Sequence, residues 1–470
     1  MASVSISKET EDNNVEFDSG QKYLGPLFLV TMLFFMWGFI TCMNDILIPH
    51  LQQVFTLQNW QAMLIQTAFF GAYFFISLGY YLISITKGDP IGRIGYKNGI
   101  ILGLVISAVG CLFFYPAASL VSFGFFLFAL FVLASGITIL QIAANPYVTI
   151  LGKPSGASSR LNMTQAFNSL GTTIAPLIGG YLIFGTIGEV EISADSVKMP
   201  YVALALTLLL IALIFKLFKL PEIGSQGVII SDSGALKHRH LFLGIGAIFA
   251  YVGGEVTVGS NLINFARLPE IAGLDEAEAS HYLALFWGGA MVGRFFGAVA
   301  LADFKNNLNR FLIIGAITAI SYVSIHYVYG GEMALYALAF IGLNILVIII
   351  GQFIPNRTLW LFGITGIALL IIGLLTSGQL ALWSIVALGL FNSIMFPTIF
   401  SLAIKGLGKY TAQASSLLVM AIVGGAIVPL LQGLMADLTG SVQLSFLVPL
   451  VCYLYIVFYG VSGYKMKEEH

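Results

Sequence analysis

Apolar residues dominate the chain from about residue 26 to residue 463, in long runs broken by short polar connections. A helix needs about 20 mainly apolar residues to cross a bilayer. On that length scale the runs predict membrane helices near 26–48, 62–86, 98–115, 121–150, 162–185 and 200–218. A polar stretch, 219–240, reads as a linker. Further helices are predicted near 241–265, 280–302, 311–329, 333–351, 358–377, 380–404, 412–436 and 443–463. The fold class is therefore an all-α polytopic membrane protein, with six helices, a linker and eight more. Residues 1–25 are polar and acidic and read as a disordered cytoplasmic tail, with 464–470 as a second tail. The polar start holds no apolar core of a cleavable signal peptide, so the first run is expected to insert and stay.

Composition narrows the function. Hydrophobic residues make up 58% of the chain and charged residues 9%, which excludes a set of soluble domains. The net charge of −1 provides no steering towards nucleic acid. Cys42, Cys111 and Cys452 all lie in apolar runs and make neither a disulfide framework nor a metal-ligand pattern. No phosphate-cradling loop of the Gly-x-x-x-x-Gly-Lys-Ser/Thr type is present, which disfavours an ATP-driven pump. Nor is there a nucleophile–base set, so no enzymatic activity and no cofactor are expected.

Charge sets the orientation, because cytoplasmic loops of membrane proteins carry an excess of Lys and Arg. With the N-terminus inside and the helices alternating, all of the 21 basic residues fall inside except Lys198, Arg267 and Arg294. The outer loops carry Glu189, Glu191, Asp195, Glu270, Asp275, Glu276 and Glu278 instead. Both termini are thus expected in the cytoplasm of a bacterial inner membrane. The predicted pair at 311–351 preserves the alternation whether it is counted or not.

Two stretches recur. Residues 141–146 (QIAANP) and 392–397 (NSIMFP) each place an amide five residues before a proline. Residues 171–180 (GTTIAPLIGG) and 424–433 (GGAIVPLLQG) match in the spacing of glycine and proline. Duplicated halves with a site near the midplane between them are a recurrent transporter plan. The reading is two pseudo-symmetric bundles, 26–218 and 241–463, enclosing a cavity, with 311–351 as an extra peripheral pair.

Residues 34–51 (FFMWGFITCMNDILIPHL), 141–152 (QIAANPYVTILG), 161–176 (LNMTQAFNSLGTTIAP) and 389–397 (GLFNSIMFP) carry a resemblance. They are similar to the fucose:proton symporter family of the major facilitator superfamily, and most similar to its glucose/galactose transporter branch. The resemblance implies a twelve-helix transporter fold and cation-coupled sugar uptake. Gly92 stands where the superfamily's signature loop has an Asp before Arg93, and the extra pair departs from twelve helices. The resemblance implies sugar binding and proton coupling at Asp45, and polar site positions at Gln141, Gln165 and Asn168. The fucose symporter has a glutamate at the position of Gln141, so a proton role would fall to Asp45, with or without Glu255, or the coupling ion is sodium.

Three ionisable residues stand alone inside apolar runs: Asp45, Glu255 and Arg294. Such groups are expensive in hydrocarbon and mark a substrate or ion path. Trp37, Thr41 and Asp45 share one helical face, offering a ring for a sugar, a hydroxyl and a carboxylate. Burial favours the neutral form of an acid, so a buried Asp can take a proton on one side and release it on the other. The competing reading is a helix-end Asp at the outer interface, since Pro49 and His50 follow. Gln141 and Asn145 lie on one polar stripe, and Gln165, Asn168 and Thr172 on another. Amides suit sugar hydroxyls because each both donates and accepts. They also suit helix–helix hydrogen bonding. Glu255 is either a coupling group or one side of a structural ion pair with Arg294, and Arg294 can alternatively snorkel to the interface.

The leading expectation is a monomeric secondary transporter taking up a hexose, glucose or galactose, with a proton or sodium ion. The alternatives are another neutral sugar, such as fucose or N-acetylglucosamine, and a sugar sensor that moves no substrate.

Overall fold

The computed structural model describes residues 24–87, 90–151, 157–184, 193–218, 234–300, 307–352, 354–407 and 411–466. The N-terminal tail to residue 23, most of the linker (219–233) and residues 467–470 lie outside the described residues. Among the described residues the chain is helical. The first half comprises α1 (Leu24–Val54), α2 (Asn59–Ala62), α3 (Leu64–Lys87), α4 (Pro90–Ile94), α5 (Tyr96–Leu112), α6 (Phe114–Ser119), α7 (Phe123–Ile150), α8 (Ala157–Phe184) and α9 (Lys198–Leu217). The second comprises α10 (Arg239–Arg267), α11 (Glu276–Ala300), α12 (Asn307–Tyr329), α13 (Gly331–Ile350), α14 (Pro355–Leu375), α15 (Gly378–Asn392), α16 (Met395–Ile404), α17 (Thr411–Met420), α18 (Gly424–Thr439) and α19 (Leu447–Phe458).

Twelve segments of the described residues are long and apolar enough to span a membrane. The 28-residue α8 and 25-residue α11 are of spanning length as well. They are more polar because they line the seam between the halves, where they pack on each other.

Prolines explain where helices run on and where they break. Pro lacks an N–H, so it removes one intrahelical hydrogen bond. The helix predicted to end near residue 48 runs through Pro49 to Val54. Pro49 thus leaves the carbonyl of Asp45 without its helical donor. The run predicted at 380–404 is interrupted at Ser393 and Ile394, four and three residues before Pro397. In the matching stretch of the first half, α7 passes Pro146 unbroken.

The same set of helix contacts appears twice. In the first half α1 packs on α8, α5 on α7, α3 on α7 and α5 on α9. In the second, α10 packs on α18, α14 on α15, α11 on α15 and α14 on α19. One close approach fixes the register. Gly171 of α8 lies against the Phe35 carbonyl of α1, and Gly424 at the start of α18 lies against the Phe249 carbonyl of α10. A side chain at either glycine would strike backbone. Matching Phe35 with Phe249 aligns Trp37 with Tyr251, Thr41 with Glu255, and Asp45 with Gly259.

The pair α12 and α13 has no counterpart in the first half. It packs on α11, α14 and α15, and Asn344 of α13 donates to the Leu390 carbonyl at 3.2 Å. Leu312, Ile320, Val323 and Tyr327 of α12 are exposed, as expected of a face turned to lipid.

Candidate functional site

Asp45 lies at the contact between the halves and is 3% exposed. Gln66 of α3 donates to its Oδ1 at 2.9 Å, and Ser260 of α10 donates to the same oxygen at 3.1 Å. Trp287 of α11 donates its indole N–H to Oδ2 at 3.2 Å, and the Cys42 thiol lies 3.8 Å from that oxygen. Gln66 also donates to Ser260 at 2.8 Å, so the amide and the hydroxyl hold each other in place. Gly259 makes this approach possible: a Cβ there would meet Trp287 at 3.2 Å and Asp45 Oδ2 at 3.5 Å. The reading of Asp45 as an outer interface residue does not describe this position. Taking a carboxylate out of water is costly, and three donors on two oxygens offset that cost.

From Asp45 towards the end predicted to face outside, the halves are stitched together. Asp437 of α18 accepts the Asn59 and Trp60 backbone N–H groups at 3.0 and 2.9 Å and the Asn59 side-chain amide at 2.8 Å. Asn264 donates to Gln52 at 2.9 Å, Thr67 donates to the Ala426 carbonyl at 2.9 Å, and Gln53 donates to Glu276. Among the described residues, the hydrogen bonds between the halves lie at the level of Asp45 or beyond it, apart from one from Arg294 to Ser169. The end predicted to face outside is closed in this conformation. Lys198 and Arg267, the basic residues that orientation leaves outside, are paired with Asp195 at 2.7 Å and Glu276 at 2.6 Å.

A second cluster lies two turns inward on α1, about 12 Å along the axis from Asp45 at 1.5 Å per residue. Gln141 of α7 donates to the Tyr73 hydroxyl at 2.7 Å. That hydroxyl also faces Trp37 and Thr41, and the Thr41 hydroxyl donates to the Trp37 carbonyl at 2.9 Å. Trp37 is half-buried, with its ring 5.5 Å from that of Phe34. Asn168 of α8 donates to the Phe34 carbonyl at 3.0 Å. The side-chain amide of Gln165 makes no hydrogen bond among the described residues and is half-buried. Asn145 keeps a buried Oδ1 without a partner.

The structure thus brings Trp37 and Gln141 together through Tyr73, with Asn168 tied to the adjacent turn of α1. It places Asp45 apart from them, in the closed outer network. Asn168 acts as a helix tie here, which is the other use of an amide in a bundle.

Glu255 sits mid-way along α10, 8% exposed, with an Oε1 that has no partner. The expected ion pair with Arg294 is not made in this conformation. The guanidinium acts on Glu255 electrostatically, but its hydrogen bond goes across the seam to Ser169. The reason is positional: Arg294 lies on the face of α11 that packs against α8. Tyr251 and Tyr453 lie close to Glu255, and the Tyr453 hydroxyl donates to Asn392. Each half therefore pairs its helix amide with a tyrosine, Gln141 with Tyr73 and Asn392 with Tyr453.

Gln66, Tyr73, Ser260 and Trp287 were not singled out from the sequence. Their signal was present as polar or amphipathic residues inside the spans 62–86, 241–265 and 280–302. A cavity of about 260 Å³ between α8, α11, α12, α13 and α15 is lined by Leu177, Leu285, Ile325, Phe340 and Trp383 among others. Its walls are too apolar for a sugar.

Paired helix contacts in two halves, closure of the halves on each other at one end and a buried carboxylate at the seam fit a secondary membrane transporter. No protein-family model matches the chain. The chain is 50% identical over 457 residues to a glucose/galactose transporter of Brucella abortus, covering 96% of this chain and 97% of that one. It is 32% identical over 466 residues to the L-fucose-proton symporter of Escherichia coli, covering 93% of each. Its fold matches the crystal structure of the major facilitator superfamily transporter FucP in the outward conformation, with a TM-score of 0.64 at 31% identity. That match covers 94% of this chain and 99% of the other. The chain belongs to the fucose:proton symporter family of the major facilitator superfamily, in which the glucose/galactose transporters are its relatives.

Proposed function

We propose that the protein is a proton-coupled hexose importer of the bacterial inner membrane, taking up glucose and galactose by alternating access. The bundles 26–218 and 241–463 rock about the seam of α8 and α11, and both termini are cytoplasmic. Trp37, Gln141, Gln165, Asn168 and Asn145 supply the sugar site, with Tyr73 orienting Gln141. Asp45 is the coupling group, and Glu255 holds the second half in register with Arg294 as its nearby countercharge. The monomer is the working unit.

The observation that carries this reading is the position of Asp45. A symporter must couple the occupancy of an acid to the movement of one half against the other. Asp45 is buried in the first half and takes two of its three close donors from the second. Any opening of the outer side must break those bonds.

The test is uptake of labelled hexoses into vesicles carrying the protein, with an imposed proton or sodium gradient. Glucose and galactose should accumulate under a proton gradient, with the outside acidic and the inside alkaline, and not under sodium alone. Accumulation driven by sodium alone would overturn the proton assignment. Binding without accumulation under either gradient would overturn the assignment of transport.

A further inference from the structure

We infer that Ser260 and Trp287 are positioning residues for coupling: they hold the unloaded Asp45 against the second half while the outer side is closed. The inference rests on the reading of Asp45 as the coupling group and says how that group is linked to movement.

The geometry separates Asp45's donors by half. Gln66 stays with Asp45 in any rigid-body motion, because α3 belongs to the first half with α1. Ser260 on α10 and Trp287 on α11 leave with the second half when the outer side opens. The closed arrangement is built to accept a carboxylate. An indole N–H can only donate, and the Gln66 amide offers one hydrogen to Oδ1 and the other to Ser260. With Gln66 donating to Ser260, the Ser260 hydroxyl is left to donate in turn to Oδ1. Three donors thus converge on two oxygens, and hydrogen bonds to an ionised group are about twice as strong as neutral ones.

The site is also shaped for these contacts. Ser260 is fully buried and Trp287 is 8% exposed. The register of the two halves places Gly259 opposite Asp45, where a second acid would have repelled it. The missing side chain is filled by the edge of the Trp287 ring, 3.2 Å from where a Cβ would stand. Phe286 braces that ring edge-on, with centroids 5.0 Å apart.

Net uptake requires Asp45 to release its proton while the outer side is closed, and the second-half donors stabilise the carboxylate that forms in that state. Exchange of sugar for sugar does not require that release. Loss of the second-half donors should therefore slow net uptake and leave exchange largely intact. The two measurements separate this role from simple support of the fold.

The test compares Trp287→Phe and Ser260→Ala with the parent protein in proteoliposomes. Trp287→Phe keeps a ring against Phe286 and loses the N–H. Net proton-driven uptake of glucose should fall about tenfold in Trp287→Phe, the scale of one hydrogen bond to a charged group, with a smaller fall in Ser260→Ala. Equilibrium exchange of labelled glucose should stay within about twofold, and the number of protons moved per sugar should not change. In an Asp45→Asn background, Trp287→Phe should add nothing further. An equal fall of exchange and net uptake would overturn the inference, as would no change in either. If Trp287→Phe does not fold, Ser260→Ala decides alone by the same ratio of net uptake to exchange. Unaltered exchange in Asp45→Asn with full accumulation would instead reject the reading of Asp45 itself.

Discussion

Asp45 in α1 and Glu255 in α10 are each a lone carboxylate within a membrane helix, and they differ in which half supplies their partners. Asp45 receives Gln66 from its own half and Ser260 and Trp287 from the other. Glu255 lies close to Tyr251 and Tyr453 of its own half and keeps one oxygen unpartnered among the described residues. The duplicated helices do not make them equivalents. Asp45 aligns with Gly259, and Glu255 aligns with Thr41. A group bonded across the moving seam can report which side is open; a group enclosed within one rigid half cannot. On that ground we propose coupling at Asp45 and a packing role within the second bundle for Glu255.

The substitution that strains this contrast most is Asp45→Asn. It keeps the size and a hydrogen-bonding head and cannot gain or lose a proton. Gradient-driven accumulation should be abolished, so that labelled hexose merely equalises across the membrane, while exchange survives. Accumulation that persists in Asp45→Asn and is lost in Glu255→Gln would reverse the two roles.

Next in size is Asp437→Asn, which removes a charge from the backbone amides of Asn59 and Trp60. It should shift the resting protein towards outward opening by about tenfold, the scale of one charge-assisted bond. Cys42 offers the readout, because it is 1% exposed beside Asp45 and sealed while the outer side is closed. Its reaction with an impermeant maleimide should speed up accordingly in a background with Cys111 and Cys452 replaced. An unchanged rate would remove Asp437 from the latch.

Smaller effects are expected in the inner cluster. Gln165→Ala removes a half-buried amide with no partner among the described residues, so it should raise the KM for hexose by roughly 3- to 10-fold and leave stability alone. Asn168→Ala should also lower stability, by about 1 kcal/mol, because it removes the bond that ties α8 to the Phe34 carbonyl of α1. Thermal unfolding in detergent separates the two. The smallest effect is assigned to Glu255→Gln, with a plateau of accumulation within about twofold of the parent, since a neutral isostere replaces a buried and under-partnered charge. A collapse of the plateau there would move Glu255 into the coupling machinery.

Much of the fold was legible along the chain because bilayer thickness imposes a length on every apolar run. The hydropathy pattern located all the long helices that the structure describes, including α12 and α13. The glycines matched between 171–180 and 424–433 marked the repeat, and the structure shows that Gly171 and Gly424 sit at equivalent close approaches. Helix ends were less legible. Pro49 and Pro146 suggest breaks by local rule, and packing carries the helices through both, whereas Pro397 does interrupt its helix.

In the site, Asp45 stood out because a single charge in an apolar run has few innocent explanations. Its partners did not stand out. Ser260 and Trp287 lie more than two hundred residues away in sequence, and only the closure of one half on the other makes them neighbours. Periodicity within one helix cannot reveal a contact of that kind. Tyr73 was missed for the same reason, since it joins Trp37 and Gln141 from a third helix.

Sugar-induced proton movement tests the central claim most directly. Vesicles bearing the protein, with no imposed gradient, are given glucose or galactose in a weakly buffered medium whose pH is followed. The account predicts that the medium turns alkaline with the parent protein as protons enter with sugar. It predicts no pH change with Asp45→Asn, although that variant still exchanges labelled sugar. Proton entry that persists in Asp45→Asn would contradict the assignment of coupling to Asp45.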